Sequence, residues 1–238
     1  MEQFEFPFEV VYPQALDAGS LGDRFDVLIF ESGAVSPELD RAGNIRSQAD
    51  QPDPQSIPER YRERLGFISE NRTIPQLRSF LNAGGTILGI GTSASLGYHF
   101  GLPIADALVD RASGAPLPME RYWAPGSVHR VRIDNSNPLA YGMSEYVDVY
   151  FDKNPVFRLA PRAGVRRVAW FDSDKTLRSG WALGEEYHRD GVTVIDAAVG
   201  GGKLFLFTPL ITFRGQPHGT FKFLFNGIFY GTAETANL

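Results

Sequence analysis

Apolar residues along the chain switch between two spacings, and the switches mark the expected elements. Phe6-Pro7-Phe8-Glu9-Val10-Val11-Tyr12 alternates well enough for a strand that Pro13 ends, and Gly19 to Asp23 reads as a turn. Phe25 to Phe30 is a near-continuous apolar run, which suits a parallel strand buried on both faces. Ile74, Leu77, Phe80 and Leu81 recur at helical spacing. Thr73 is placed to cap that helix, with Pro75 in the first turn, Gln76 as capping-box partner and Gly84-Gly85 as left-handed stop. Thr86-Ile87-Leu88-Gly89-Ile90-Gly91 follows as a brief buried strand, and Thr92-Ser93-Ala94-Ser95-Leu96 enters a short helix that stops near Gly101. In α/β proteins the crest where a strand's carboxyl end meets a helix start is where ligands and nucleophiles sit, so chemistry is sought there first.

From Glu31 to Ile57 the pattern collapses into Ser, Gly, Pro, Asp, Gln and Asn, which reads as a long loop, either a surface insertion or a binding lid. Ser56 and Glu59 form another capping-box pair, with Pro58 in the first turn of a short helix that ends at Leu65-Gly66. Ser127 to Asp134, Val147 to Phe151 and Val165 to Phe171 are expected strands with no long helix between them, which predicts an antiparallel extension. Val192 to Val199, Gly200-Gly201-Gly202 and Lys203 to Phe207 form the clearest hairpin. Thr220 to Tyr230 is a Phe-rich helix, apolar on nearly all sides and so expected to be buried.

A chain of 238 residues suits one domain, 1–238, in which 111–190 is mainly the β extension. Zero cysteines exclude disulfides, thiolate metal sites and a cysteine nucleophile together. A net charge of -5 without a long basic cluster argues against nucleic acid, because Arg162, Arg166 and Arg167 are too few to track a phosphate backbone. No run approaches the roughly 18 apolar residues of a membrane span, and Met1-Glu2-Gln3-Phe4 lacks the features of a signal peptide, so the chain reads as soluble. The compartment stays open.

These pieces together resemble a class I glutamine amidotransferase-like domain, a flavodoxin-like α/β fold with a mostly parallel sheet flanked by helices. The closer similarity is to the variant appended to bacterial zinc carboxypeptidases of the carboxypeptidase A type. It is carried by Phe25 to Phe30, Leu77 to Gly91, Asn137-Pro138-Leu139-Ala140-Tyr141-Gly142, and Phe213-Arg214-Gly215-Gln216 through Phe221 to Asn226. The resemblance implies an attached peptidase domain as partner and, with it, a secreted or periplasmic setting. It also places a nucleophile at the Gly89-Ile90-Gly91 turn and a His and Glu in the Phe207-Thr208-Pro209-Leu210 segment. Here those three positions hold Gly91, Thr208 and Leu210, so glutamine hydrolysis has no thiolate and no base. A non-catalytic accessory or binding domain with no cofactor is the expectation. The family's first strand and helix have no counterpart before Phe6. Either the chain is a piece of a longer protein or the sheet is completed differently, with the Phe6 to Tyr12 and Phe25 to Phe30 strands flanking the Thr86 to Ile90 strand, or with a homodimer covering that edge.

The candidate ligand-binding residues are Gly91, Thr92, Ser93, Arg214 and His218, with Gln216 in the same loop. Thr92 to Ser95 could offer amides to an anion at a helix start, and Arg214 could hold a carboxylate bidentately or brace an acid within the fold. Gly89, Gly91 and Gly97 depart from dinucleotide-binding spacing, and close helix packing explains them better. The rival reading is a hydrolase using Ser93 or Ser95 with His99 or His218, although Gly91-Thr92-Ser93-Ala94-Ser95 matches a nucleophile elbow only in part and both serines suit a helix start. No His-x-x-Glu spacing marks a zinc centre. His188 in Glu185-Glu186-Tyr187-His188-Arg189-Asp190 reads as part of a solvated turn rather than a metal ligand with Glu185.

Overall fold

The structure is a computed structural model that describes residues 1–36, 38, 51–215 and 217–233. Residues 37 and 39–50 of the expected 31–57 loop, together with Gln216, lie outside the described residues. In chain order the elements are α1 (Pro13–Asp17), β1 (Val27–Phe30), α2 (Glu59–Arg62), α3 (Thr73–Asn82), β2 (Thr86–Ile90), α4 (Leu96–His99), β3 (Ile104–Asp106), β4 (Ser127–Ile133) and β5 (Tyr146–Phe151). β6 (Phe157–Leu159), β7 (Val165–Trp170), β8 (Leu177–Ser179), β9 (Val192–Val199), β10 (Gly202–Phe207) and α5 (Phe221–Gly231) complete the chain.

Seven strands follow one another in the order β1-β2-β10-β9-β7-β4-β5, with β3, β6 and β8 branching from that path. Among the described residues only β1–β2 and β2–β10 pair in parallel, and the remaining ladders are antiparallel. The sheet is therefore mixed rather than mostly parallel. The parallel part needs long crossovers and receives them from 31–85 and from 91–201, while the rest is closed by hairpins. The β9–β10 hairpin turns on Gly200 and Gly201; Gly200 has φ +61° and Gly201 a negative φ, the signs of a type II′ turn.

Side chains of the parallel strands split between two cores. Leu28, Ile87, Leu204 and Leu206 pack into a layer with Leu77, Phe80 and Leu81 of α3. Leu88, Ile90, Phe205 and Phe207 enter a second layer with Phe223 of α5 and the inward residues of β4 and β5. β1 itself is buried on one face only: Leu28 and Phe30 are enclosed in the first layer, whereas Val27 and Ile29 pack half-buried against the second, short of the two-sided burial that the apolar run of Phe25 to Phe30 predicts. β1 also pairs directly with β2, Ile29 opposite Leu88, as expected for the Phe25 to Phe30 and Thr86 to Ile90 strands.

Several local expectations are corrected. Phe6 to Tyr12 is not a strand. Pro7 lacks a ladder donor, Phe6 packs on Phe225 and Phe229 of α5 instead, and β10 already occupies the second edge of β2. The capping boxes do not form. Ser69 Oγ accepts from the Arg72 and Thr73 amides, while the Thr73 hydroxyl donates to Asp17. The helix after Ser56 begins behind Pro58 without a side-chain cap and ends at Arg62. α5 is only half-buried: Phe223 is enclosed, but Phe229 remains 65% exposed beside Phe6. Among the described residues no helix is long and apolar enough to cross a membrane.

Leu88 is fully buried on β2 and lies against Gly227 of α5. Leu88→Ala should lower the free energy of unfolding by about 2–5 kcal/mol, through lost burial plus the cavity left behind. Urea denaturation measures this, and a loss below about 1 kcal/mol would show that α5 does not press on the central strand.

Candidate functional site

β2 ends at Ile90 and the chain turns through Gly91 with φ +62°, a backbone conformation open to glycine at little cost. A Cβ built on Gly91 would collide with the Ser32 hydroxyl and lie 2.7 Å from Leu210 Cδ2. The turn of a nucleophile elbow is thus present with no side chain on it, and its outlet is occupied. Leu210 reaches this point from the segment beyond β10, so Gly91 and Leu210, two of the three positions singled out by the resemblance, meet in space. The third, Thr208, is fully buried, and its hydroxyl finds no hydrogen-bond partner among the described residues. Thr193, whose backbone carbonyl accepts from the Thr208 amide, is likewise buried with a partnerless hydroxyl.

The crest hydroxyls are spent on holding the loop after β1. Thr92 Oγ1 accepts from the Gly33 amide at 2.7 Å, and Ser93 Oγ accepts from Val35 at 3.1 Å while donating to the Glu31 carbonyl. The Thr92 amide donates to Ser32 Oγ at 3.3 Å, so the first amide of the turn already has an acceptor. Ser93 and Ser95 are buried. His99, the base of the rival hydrolase reading, uses both ring nitrogens: Nδ1 lies 2.6 Å from a Glu70 carboxylate oxygen and Nε2 lies 2.8 Å from the Ser36 carbonyl. A histidine held in this way has no nitrogen left for a serine hydroxyl. Beside the crest, crowding strips water from part of the Glu31 carboxyl and raises its pKa above the ordinary value.

Arg214 and His218 follow β10, which runs parallel to β2 and so leaves the sheet at the same edge as the crest. Arg214, at φ +44°, lines a cleft with Val128, Tyr150, Phe213 and Pro217, where Phe213 stacks on Tyr150 at 3.9 Å. His218 stacks on Phe221.

The core of the antiparallel half holds a polar chain that the sequence reading missed. Ser127 Oγ lies 2.8 Å from His129 Nε2, and His129 Nδ1 lies 2.8 Å from Thr176 Oγ1. Thr176 Oγ1 is 3.1 Å from His188 Nδ1, and His188 Nε2 is 2.8 Å from the Tyr122 hydroxyl. All five residues are buried, so the solvated-turn expectation for His188 is overturned. With both imidazoles neutral the four hydrogen bonds can run in either direction, from Tyr122 through His188, Thr176 and His129 to Ser127 or in reverse from Ser127 to Tyr122. Glu185 spends its carboxylate on the Thr176 and Leu177 amides at 2.7 and 2.8 Å. A signal for His129 exists in the sequence, since it falls on the inward phase of the Ser127–Ile133 alternation.

Burial lowers the His129 pKa to about 4, and burial reinforced by the neighbouring His129 lowers that of His188 to about 3. An unfolded histidine titrates near 6.5. Between that value and the folded ones the unfolded chain binds more protons, so stability is lost as pH falls from about 6.5 toward 4, on the order of 3 kcal/mol per group at full titration. Urea midpoints measured from about pH 7 to about 4.5 should fall steadily, and His129→Gln/His188→Gln should flatten that slope. A wild-type midpoint independent of pH in this range would refute the neutral-imidazole assignment.

No family model matches the chain, and no curated protein matches it. Among solved structures, a cytoplasmic protein from Salmonella typhimurium is similar over 98% of this chain and 84% of its own, at 10% identity and a TM-score of 0.51. A candidate GMP synthase component from Thermoplasma acidophilum is similar over 90% of this chain and 79% of its own, at 13% identity and a TM-score of 0.47. A β-galactosidase from Bacillus circulans is similar over 67% of this chain, at 11% identity and a TM-score of 0.40, and this chain spans 20% of that protein's length. The Salmonella protein shares the mixed α/β fold.

Proposed function

We propose that this chain is a single amidotransferase-like domain of flavodoxin-like ancestry that has lost its chemistry and serves as an accessory or binding domain. The observation that carries the reading is the Gly91 turn: an elbow backbone at φ +62° without a nucleophile, its outlet filled by Ser32 and by the Leu210 that stands at the family's acid position. A nucleophile needs both a side chain and an adjacent base. Gly91 supplies no side chain, and Thr208 supplies a hydroxyl in place of an imidazole. Attachment to a zinc carboxypeptidase rests on the sequence segments alone. Against the serine-hydrolase alternative stand the hydrogen bonds that already occupy Ser93 and His99.

The purified chain is expected to release no ammonia from glutamine above a buffer blank at any pH. Gly91→Cys should not create the activity and should unfold at a lower temperature than the wild type, because a side chain at positive φ costs about 1 kcal/mol or more and this one also meets Ser32 and Leu210. Measurable glutaminase in either protein would end the reading. Incubation with a fluorophosphonate probe should leave Ser93 and Ser95 unlabelled, and mass-spectrometric detection of an adduct at either serine would favour the hydrolase.

A further inference from the structure

We infer that a cleft at the end of the antiparallel half binds a small zwitterion, a free α-amino acid, with its carboxylate on Arg167 and its ammonium on Glu145 and Asp134. The cleft has a volume of about 360 Å³ and is lined by Arg132, Asp134, Asn135, Glu145, Arg167 and Trp170. That is the low end of the range for small-molecule sites. It lies away from the Gly91 crest and does not depend on the amidotransferase reading.

The floor is Trp170. The Arg167 guanidinium lies over its ring with Cζ 4.1 Å from the centroid, and Arg132 Cζ lies 5.8 Å from the same ring. Stacking fixes the plane of a guanidinium while leaving its N–H edge free to donate, so less side-chain freedom is lost when a carboxylate arrives. Arg132 gives one N–H to Glu145 at 2.9 Å. Arg167 makes no side-chain ion pair or hydrogen bond among the described residues, which leaves a planar fork matched to a carboxylate.

The acids set the other half of the specificity. Asp134 uses Oδ1 for the Ser136 amide and hydroxyl at 3.2 and 2.6 Å, and Glu145 uses Oε1 for Arg132. Asp134 Oδ2 and Glu145 Oε2 have no hydrogen-bond partner among the described residues. The cleft therefore carries two guanidiniums and two carboxylates. A dianion such as phosphate would be drawn to the arginines and repelled by Asp134 and Glu145, and a simple cation would meet the opposite penalty. A ligand with one charge of each sign a few bonds apart satisfies both sets, as does no single-sign ion of that size.

The test uses the full chain labelled with ¹⁵N, and follows the indole N–H resonance of Trp170, assigned by its disappearance in Trp170→Phe. L-serine and L-glutamine should each shift that resonance to saturation. L-serinamide, which lacks the carboxylate, and N-acetyl-L-serine, which lacks the ammonium, should bind at least about tenfold more weakly, because each loses a charge-assisted hydrogen bond. Arg167→Ala should weaken L-serine binding by a similar factor with the remaining spectrum unchanged, and Arg167→Lys should recover part of it. The proposal is overturned if neither amino acid gives a saturable shift, if N-acetyl-L-serine or inorganic phosphate binds as well as L-serine, or if Arg167→Ala leaves the shift unaltered. The analogue series is read on the wild-type chain, so a failed variant does not shield the proposal.

Discussion

β2 has neither a free face nor a free edge, and the architecture follows from that enclosure. Its five residues are all buried, with β1 bonded along one edge and β10 along the other. Ile87 points into the α3 layer while Leu88 and Ile90 point into the α5 layer. A strand shut in on four sides can release the chain only at its ends. At its start, Gly84 takes φ +100° to bring the chain out of α3. At its finish the chain must turn at once, and Gly91 takes the left-handed conformation that such a turn demands.

That constraint fixes the crest but does not decide its use. In a nucleophile elbow the forced turn pushes a reactive side chain outward into solvent. Here the same turn receives neighbours instead: Ser32 from the loop after β1 and Leu210 from beyond β10 close over it. Thr92 and Ser93, residue types able to serve chemistry, become fasteners for residues 31–35. A buried hydroxyl without a partner costs about 1–3 kcal/mol, so each of these bonds also removes a penalty the packed crest would otherwise carry.

Local pattern makes most strands legible, because alternation and apolar runs report which side of a segment meets a core. It does not report which core. Phe6 to Tyr12 alternates as a strand would, yet Phe6 meets α5 and the second edge of β2 goes to β10, far along the chain. The start of α3 is legible while its cap is not, since Ser69 Oγ takes the Arg72 and Thr73 amides and the Thr73 hydroxyl is drawn to Asp17. His188 is hidden by the charges around it. Its burial comes from Phe171, stacked at 4.4 Å, and from His129, neither adjacent in sequence. The crest is legible because glycines and small polar residues at a strand end are a local signal. Arg132, Arg167 and Trp170 meet across β4 and β7, a pairing no local window contains.

The two halves of the sheet solve the same problem by different means. In the parallel half, ladders of four and five residue pairs with helices above and below supply enough contact to hold every element. In the antiparallel half, β8 pairs with β4 through two residues across an irregular register, and β6 meets β9 at a single residue. Ladders that short cannot position the loops between them. Tyr122 stands before β4, Thr176 before β8 and His188 before β9, and the hydrogen-bond chain ties all three to Ser127 and His129 on the long strand β4. A buried chain of this kind keeps all its hydrogen bonds in only one geometry, which makes it a specifier of structure where backbone pairing is too sparse to be one. An apolar replacement could match its stability, but apolar contact is non-directional and would not tell three neighbouring loops where to stop.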